Sequence, residues 1–444
     1  SRNLGQAALL RVTRAGESST LGELRRLLER GLASRPAAAE LADRLSGWIV
    51  LAVLAASAGT AAWWAFHDPS RSVAATVAVL IVTCPCALAL ANPVGLTLAA
   101  ARLARAGVLP ARMAAIEPLA TVQTAVFDKT GTLTLLSPRL AALDLAGGLD
   151  AGTARSVAAA LERDSLHPIA AALAAGAGNR LAAAGIEHEP GRGVSGGVAG
   201  SRWWLGSAEF AAGGAPLPSS IALALEEAHR AGDPAAVLAD RRGRVALFVF
   251  SEEPRPGAGD LLANLRKEGV RWFVLLSGDS SRAAERLGRA LGFDEVRTGM
   301  TPDAKLAWVR RSQATGKEGR LLFVGDGVND APALAASGVS LSFTQAPQIS
   351  RLACDFLIAR TDLEAVVDAR RIARRTRRLL VQNVFWAVAY NVVSIPLAAA
   401  GLVPPWAAAI GMSASSLLVV GNAMRLRTPV SGSRASGRPA GAPR

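Results

Sequence analysis

Asp128-Lys129-Thr130-Gly131-Thr132-Leu133-Thr134 follows a short β-like stretch, Thr124 to Phe127, so a carboxylate stands at the C-terminal end of a strand. Open α/β sheets hold their ligands at that end. An Asp in such a place can attack a phosphoryl group as a covalent nucleophile, with Lys129 supplying charge and the hydroxyl-rich, glycine-containing turn allowing close backbone approach. Further polar turns succeed it in order. Ser277-Gly278-Asp279 follows the apolar run Phe273 to Leu276, Lys305 sits in Thr301-Pro302-Asp303-Ala304-Lys305, and Gly325-Asp326-Gly327-Val328-Asn329-Asp330 follows Leu321 to Val324. Each polar group comes after a strand end, so one sheet can bring all of them to Asp128. Unrelated Gly- and Asp-rich surface turns would not arrive in this order.

The Asp128 run resembles the phosphorylation motif of P-type ATPases, whose phosphorylation domain belongs to the haloacid dehalogenase superfamily, and the likeness covers nearly the whole chain. The resemblance implies an α-helical membrane region plus an α/β haloacid-dehalogenase-like phosphorylation domain with a parallel sheet, into which an α+β nucleotide-binding domain is inserted. It also implies an enzyme, an ATP hydrolase coupled to translocation of a metal cation. Composition agrees with a protein that is part membrane and part soluble, because hydrophobic residues make up 51%, charged residues still make up 19%, and mean hydropathy is +0.29. A soluble globule alone has no need of that apolar excess.

Four apolar stretches are long enough to span a bilayer: about Trp48 to Phe66, Val73 to Leu98, Leu379 to Ala400 and Pro405 to Met424. The soluble block between the second and third is flanked by Arg102 and Arg105 on one side and by Arg370, Arg371, Arg374, Arg375, Arg377 and Arg378 on the other. The positive-inside rule puts that block in the cytoplasm. The connections near His67-Asp68-Pro69 and Gly401 to Pro404 then face outward, both chain ends are cytoplasmic, and the expected location is the cell membrane, crossed several times. The net charge of +14 is concentrated at these membrane edges and in the basic tail from Thr428 to Arg444. Membrane lipid, not nucleic acid, is the expected counterpart. No signal peptide and no internal repeat is read.

Three cysteines are too few for a disulfide framework. Cys84 and Cys86 flank Pro85 inside the second apolar stretch, where the proline removes a backbone donor and breaks the helix ladder. Paired thiolates at such a break suit a soft cation such as Cu(I). Cys354 reads as a structural cysteine. Asn383, Tyr390 and Asn391 fall on one face of the third stretch, followed by Pro396, and Met412, Ser415 and Ser416 do the same on the fourth. Polar groups at membrane depth line a path or bind one another, and the serines could equally be helix-packing glue. Together these residues look like the three transmembrane signatures of the Cu(I)-exporting branch of heavy-metal P-type ATPases. That likeness makes Cys84, Cys86, Tyr390, Asn391, Met412, Ser415 and Ser416 the expected hosts of transported Cu+. A zinc or cadmium branch would be expected to carry charged residues in the last two spans, and these have none.

By position, 1–45 reads as an actuator-domain remnant and lead-in helix, 46–104 as two transmembrane helices with Cys-Pro-Cys, and 105–136 as the first part of the phosphorylation domain. Residues 137–250 then form the nucleotide-binding domain, 251–370 the second part of the phosphorylation domain, 371–427 two more transmembrane helices, and 428–444 a disordered basic tail. The insert contains Glu162, Ser165-Leu166-His167-Pro168 and Gly191-x-Gly193. In heavy-metal ATPases similar residues hold the adenine of ATP, which implies the His167 imidazole against the base and Gly191 and Gly193 allowing close approach. In the returning half the resemblance implies Asp326 as an Mg2+ ligand together with Asp128 and the Thr130 carbonyl, Asp330 supporting the cluster, and Lys305 neutralising the transferring phosphoryl group. Ser277, Gly278 and Asp279 form the remaining catalytic turn.

The sequence departs from the family pattern at Ser277, where most P-type ATPases carry Thr; the hydroxyl survives. The larger departure is the actuator's Thr-Gly-Glu loop, which positions water against the aspartyl phosphate. Ala15-Gly16-Glu17-Ser18 mimics it but sits too close to the first span, within what looks like the actuator's last segment, Arg11 to Leu45. The chain is therefore expected to be the C-terminal part of a longer pump. Ser277-Gly278-Asp279 and the stretch Gly411 to Leu426 look most like pumps that supply copper for cbb3-type oxidase assembly, so a copper chaperone or an oxidase-assembly acceptor is an expected partner. The alternative is a membrane-anchored, autophosphorylating phosphatase-like remnant without transport.

Overall fold

The computed structural model describes residues 37–83, 86–135, 138–165, 168–174, 181–279, 282–315 and 320–427. The actuator remnant up to residue 36, Cys84, Pro85, His167 and the basic tail therefore lie outside the described residues.

Five helices form the apolar region: Ala37–His67, Pro69–Val82, Cys86–Arg105, Glu364–Ala399 and Pro405–Met424. The first turn-over is set locally. Asp68 accepts from the Ser70 amide at 3.2 Å and Pro69 opens the next helix, a position where its missing N–H costs nothing. The stretch Val73 to Leu98, expected as one span, falls on two helices, Pro69–Val82 and Cys86–Arg105. The third stretch is longer than its apolar part. A single helix of 36 residues begins at Glu364, packed against the core of the parallel sheet, and passes through the expected 370/371 boundary without a break. The 86–105 helix packs against the 364–399 helix so closely at Gly95 that a Cβ there would lie 2.7 Å from Leu380 Cδ2. By length and composition, Glu364–Ala399 and Pro405–Arg427 are able to cross a membrane, and Pro69–Val82 is a shorter apolar helix.

The soluble part contains two sheets. The first contains Val108–Pro110 (β1), Val122–Asp128 (β2), Trp272–Leu276 (β9), Glu295–Arg297 (β10), Arg320–Val324 (β11), Val339–Phe343 (β12) and Phe356–Ile358 (β13), in the order β1-β13-β12-β11-β2-β9-β10. Neighbours are parallel except at the β1/β13 edge. Parallel strands covered on both faces need continuous apolar runs, and β2, β9 and β12 supply Phe127, Phe273 and Phe343 to one buried cluster while β11 supplies Phe323 to another. The second sheet is antiparallel and belongs to the insert: Arg139–Ala146 (β3), Ala183–Glu189 (β4), Gly193–Val198 (β5), Ser201–Gly206 (β6), Ala235–Asp240 (β7) and Val245–Ser251 (β8), ordered β3-β8-β7-β6-β5-β4. Trp203, Phe248 and Phe250 fill its separate core beneath the Ala151–Leu161 helix. Entry to and exit from the insert run side by side, with the Leu135 amide donating to Glu253 O at 2.9 Å and the Arg255 amide to Leu133 O at 2.8 Å.

Candidate active site

Register decides which residues meet. In β2 and β9 Asp128 pairs with Leu276, and in β2 and β11 Phe127 pairs with Val324, so the chain leaves three adjacent parallel strands at one level. Asp128, Ser277 and the Gly325-Asp326 turn are thereby set around one end of the sheet, where such folds place ligands.

Lys305, on the Pro302–Thr315 helix, reaches between two carboxylates: its Nζ is 2.5 Å from Asp128 Oδ1 and 2.7 Å from Asp330 Oδ1. All three groups are buried. Burial works to deprotonate Lys305, but Asp128 and Asp330 outweigh it and hold the ammonium above its ordinary range. Asp128 is pushed up to about 7, first by burial and then by the Asp330 and Asp326 charges, with Lys305 opposing. Asp326 rises to about 6 for the same reasons, opposed by Arg255 and Lys305.

The turn after Asp128 is shaped by Gly131, whose φ of +74° is left-handed and whose missing Cβ leaves room for the Asp326 carboxylate. Thr130 is exposed beside it. Three buried carboxylates facing Lys305 and Arg255 leave an excess of negative charge in an all-oxygen donor set. That chemistry fits Mg2+, which keeps several waters and uses one or two carboxylates plus substrate phosphates.

Lys129 is turned away from this cluster. Its buried Nζ lies 2.7 Å from Asp279 Oδ2 and 2.8 Å from Glu252 Oε2. Burial opposes the charge, yet the two acids raise its pKa. The Ser277 hydroxyl accepts from the Asp279 amide at 3.1 Å, and Gly278 faces Met300 O, which a Cβ would approach to 3.3 Å. The Asp128 turn and the Ser277 turn are thus tied together through Lys129.

No motif in the sequence singles out Arg255. The structure gives it the turn's backbone: Nε donates to Thr132 O at 2.9 Å, Nη2 to Gly131 O, and Nη1 to Thr361 O at 3.0 Å, with the guanidinium over the Phe343 ring. Spacing carried no signal for it. Arg370 was read only as a membrane-edge charge. It is buried, donates to the carbonyls of Leu119 and Val122, and so clamps the long helix to the start of β2.

In the insert, Glu162 caps the 151–161 helix and leaves Oε2 buried with no hydrogen-bond partner, an acceptor awaiting a donor. Gly191 turns with φ of +79° into open space, whereas Gly193 is packed so tightly that a Cβ would meet Leu205 O and Phe210. Gly193 therefore has a packing reason of its own.

In the apolar region the Tyr390 hydroxyl lies across Gly411, which precedes Met412, and the ring joins the cluster of Val79, Val82 and Ala408 at the end of the Pro69–Val82 helix. Met412, Asn391 and Ser416 are half-buried. The Ser415 hydroxyl accepts from Trp386 Nε1 at 3.2 Å, so it serves helix contact here. Asn383 is buried against Asn422 and Val419 O. The Cys86 side chain lies outside the described residues. Cys354 is buried, and burial pushes its thiol up to about 12, as suits a structural cysteine.

The haloacid dehalogenase-like hydrolase family model matches residues 122–338. The chain is 35% identical over 414 residues to a copper-exporting P-type ATPase of Mycobacterium tuberculosis, covering 93% of this chain and 54% of that protein. It is 36% identical over 427 residues to nitrogen fixation protein FixI of Rhizobium leguminosarum bv. viciae, covering 96% and 54%. Among solved structures, a zinc-transporting PIB-type ATPase in its E2.Pi state superposes with a TM-score of 0.80 at 26% identity over 94% of this chain and 68% of that one. Over nearly all of its length the chain is similar to heavy-metal P-type ATPases. It spans about half the length of the curated relatives it matches.

Proposed function

We propose that the chain is the catalytic and ion-conducting part of a pump that moves Cu(I) across a cell membrane at the expense of ATP, with Asp128 phosphorylated in each cycle. The observation that carries this reading is the buried Asp128–Lys305–Asp330 cluster at the end of β2, with Asp326 seated against Gly131. An Asp128 oxygen attacks the γ-phosphorus of ATP, the bond to the β–γ bridging oxygen breaks, and ADP leaves with that electron pair. Hydrolysis of the resulting acyl phosphate returns the carboxylate and inorganic phosphate. Lys305 holds its proton and neutralises charge on the transferring group, Arg255 keeps the turn's carbonyls fixed, and Glu162 with His167 holds the base. Mg2+, when bound by Asp128, Asp326 and the Thr130 carbonyl, supplies charge neutralisation across the phosphates.

Copper as cargo is supported by the Cys84-Pro85-Cys86 sequence at the helix break, by the approach of Tyr390 to Gly411 next to Met412, and by spans free of charged residues from 379 to 399 and from 405 to 424. The soluble block is cytoplasmic on this reading, because the arginines of the 364–399 helix stand at its membrane edge. Supply of copper to cbb3-type oxidase assembly is the physiological role favoured by Ser277 and by the 411–426 stretch, with a copper chaperone or an oxidase-assembly acceptor as partner.

The test is labelling of the reconstituted chain from γ-labelled ATP with Cu(I) or Zn2+ present. Labelling should depend on Cu(I), and Cys84→Ser with Cys86→Ser should remove that dependence while sparing labelling by acetyl phosphate. Dependence on Zn2+ instead would overturn the copper assignment.

A further inference from the structure

Where the 364–399 helix leaves the phosphorylation domain, a cavity of about 370 Å³ opens, lined by Ala120, Arg374, Arg377, Arg378, Val381 and Gln382. Three guanidiniums around one hollow repel each other unless an anion sits among them. Among the described residues only one is neutralised: Arg374 Nη1 is 3.3 Å from Glu268 Oε2, on an acid it shares with Arg371. Arg377 and Arg378 are exposed, and no carboxylate of the described residues pairs with either. The excess is felt next door, since buried Arg370 is lowered to about 10, first by desolvation and then by the Arg374 charge.

Directly past the cavity the same helix turns apolar. Val381, itself in the cavity wall, begins an exposed stripe with Phe385, Val388 and Val392, which are 55%, 74%, 54% and 66% exposed. Their spacing puts them on one face. From 381 to 392 the stripe runs about 16 Å along the axis. That matches one leaflet, roughly half of a hydrocarbon core of about 30 Å. A soluble anion would use the arginines and have no use for the stripe; a charged lipid uses both.

We propose that this cavity binds the phosphodiester headgroup of an anionic glycerophospholipid, with an acyl chain lying along Val381, Phe385, Val388 and Val392. The inference rests on the reading that the 364–399 helix enters a bilayer. It goes beyond general attraction to a charged surface, because the cavity fixes one lipid at one place. That place has a consequence for the enzyme. Ala120 in the cavity wall lies between Leu119 and Val122, whose carbonyls Arg370 holds, and Val122 starts the strand that ends at Asp128. The headgroup thus sits on the joint between span and catalytic strand.

The experiment uses the whole 444-residue chain, delipidated in a non-ionic detergent that has no surface potential of its own. Diphosphatidylglycerol, phosphatidylglycerol and phosphatidylcholine are titrated and retained lipid is counted by native mass spectrometry. Arg377→Ala with Arg378→Ala is compared with Arg105→Ala with Arg427→Ala, which removes two charges from the same end of the helices outside the cavity. One saturable anionic lipid is expected, bound about ten-fold or more weakly by the cavity variant for the lost charge-assisted contacts and unchanged in the control. Equal weakening in both variants, equal retention of phosphatidylcholine, or displacement by inorganic phosphate at lipid-like concentrations would overturn the proposal. A lipid-independent dimer that covers the stripe would overturn it too. A chain that stays monodisperse in water without detergent would instead refute the bilayer reading itself.

Discussion

Asp128 and Lys305, 177 residues apart in the chain, form a buried ion pair in which the lysine also holds Asp330. On the proposed reading the pair joins the nucleophile to the group that receives the phosphoryl charge, so each should fail differently when removed. Asp128→Asn keeps the shape and should abolish acid-stable labelling from ATP and Mg2+. Lys305→Ala should keep the nucleophile and lower the labelling rate by roughly two orders of magnitude or more, as for loss of one charge-stabilising donor. Persistent labelling of the Asn variant would remove Asp128 from its role.

Folding should respond to pH through the same cluster. Asp128 is raised from 3.8 to about 7 and Asp326 to about 6 in the fold. Between about pH 4 and 7 the unfolded chain has lost protons that the folded chain keeps, so without Mg2+ the unfolding free energy falls as pH rises. Mg2+ should reverse the trend, since it competes with those protons, and its half-saturating concentration for labelling should drop from pH 5.5 to 8. Urea unfolding of the chain in detergent, with and without Mg2+, measures this. A stability that climbs with pH through that window in Mg2+-free buffer would contradict the sign.

Asp326→Ala should raise the Mg2+ concentration needed for half-maximal labelling by roughly ten-fold or more, with partial rescue at high Mg2+. No change at limiting Mg2+ would count against Asp326 as a ligand.

Arg255→Ala leaves the carbonyls of Gly131, Thr132 and Thr361 without their donor. A loss of roughly 3 kcal/mol in stability and slower labelling are expected. Arg255→Lys should recover little, because an ammonium cannot reproduce a fork that serves three oxygens. Full recovery by Lys would show that charge alone matters there.

Glu162→Gln and His167→Ala should weaken ATP while leaving labelling by acetyl phosphate intact, because the acceptor atom at Glu162 stands in the insert and not at Asp128. Titration with each donor separates the cases, and equal loss with both would make the residues structural.

Local order along the chain was enough for a good deal. The Asp128 run, the Ser277 and Gly325 turns and the apolar stretches are contiguous, and strand ends, glycine turns and hydrophobic runs are written within a few residues of themselves. The haloacid dehalogenase-like sheet with its insert follows from that kind of information. What tertiary structure decided are the directions in which long polar side chains point. Lys129 adjoins the nucleophile in sequence, yet it goes to Glu252, 123 residues on, and to Asp279. Arg255 crosses to Gly131, and Arg370, read from composition as a membrane-edge charge, is drawn into the core to hold Leu119 and Val122. The start of the long helix at Glu364 was equally hidden, since its first turns are charged and only packing against the phosphorylation domain shows that helix and domain are one body. A side chain's partner depends on the register of β2, β9 and β11 and on what is left unpaired when that sheet closes, and no window of sequence holds the strands that set it.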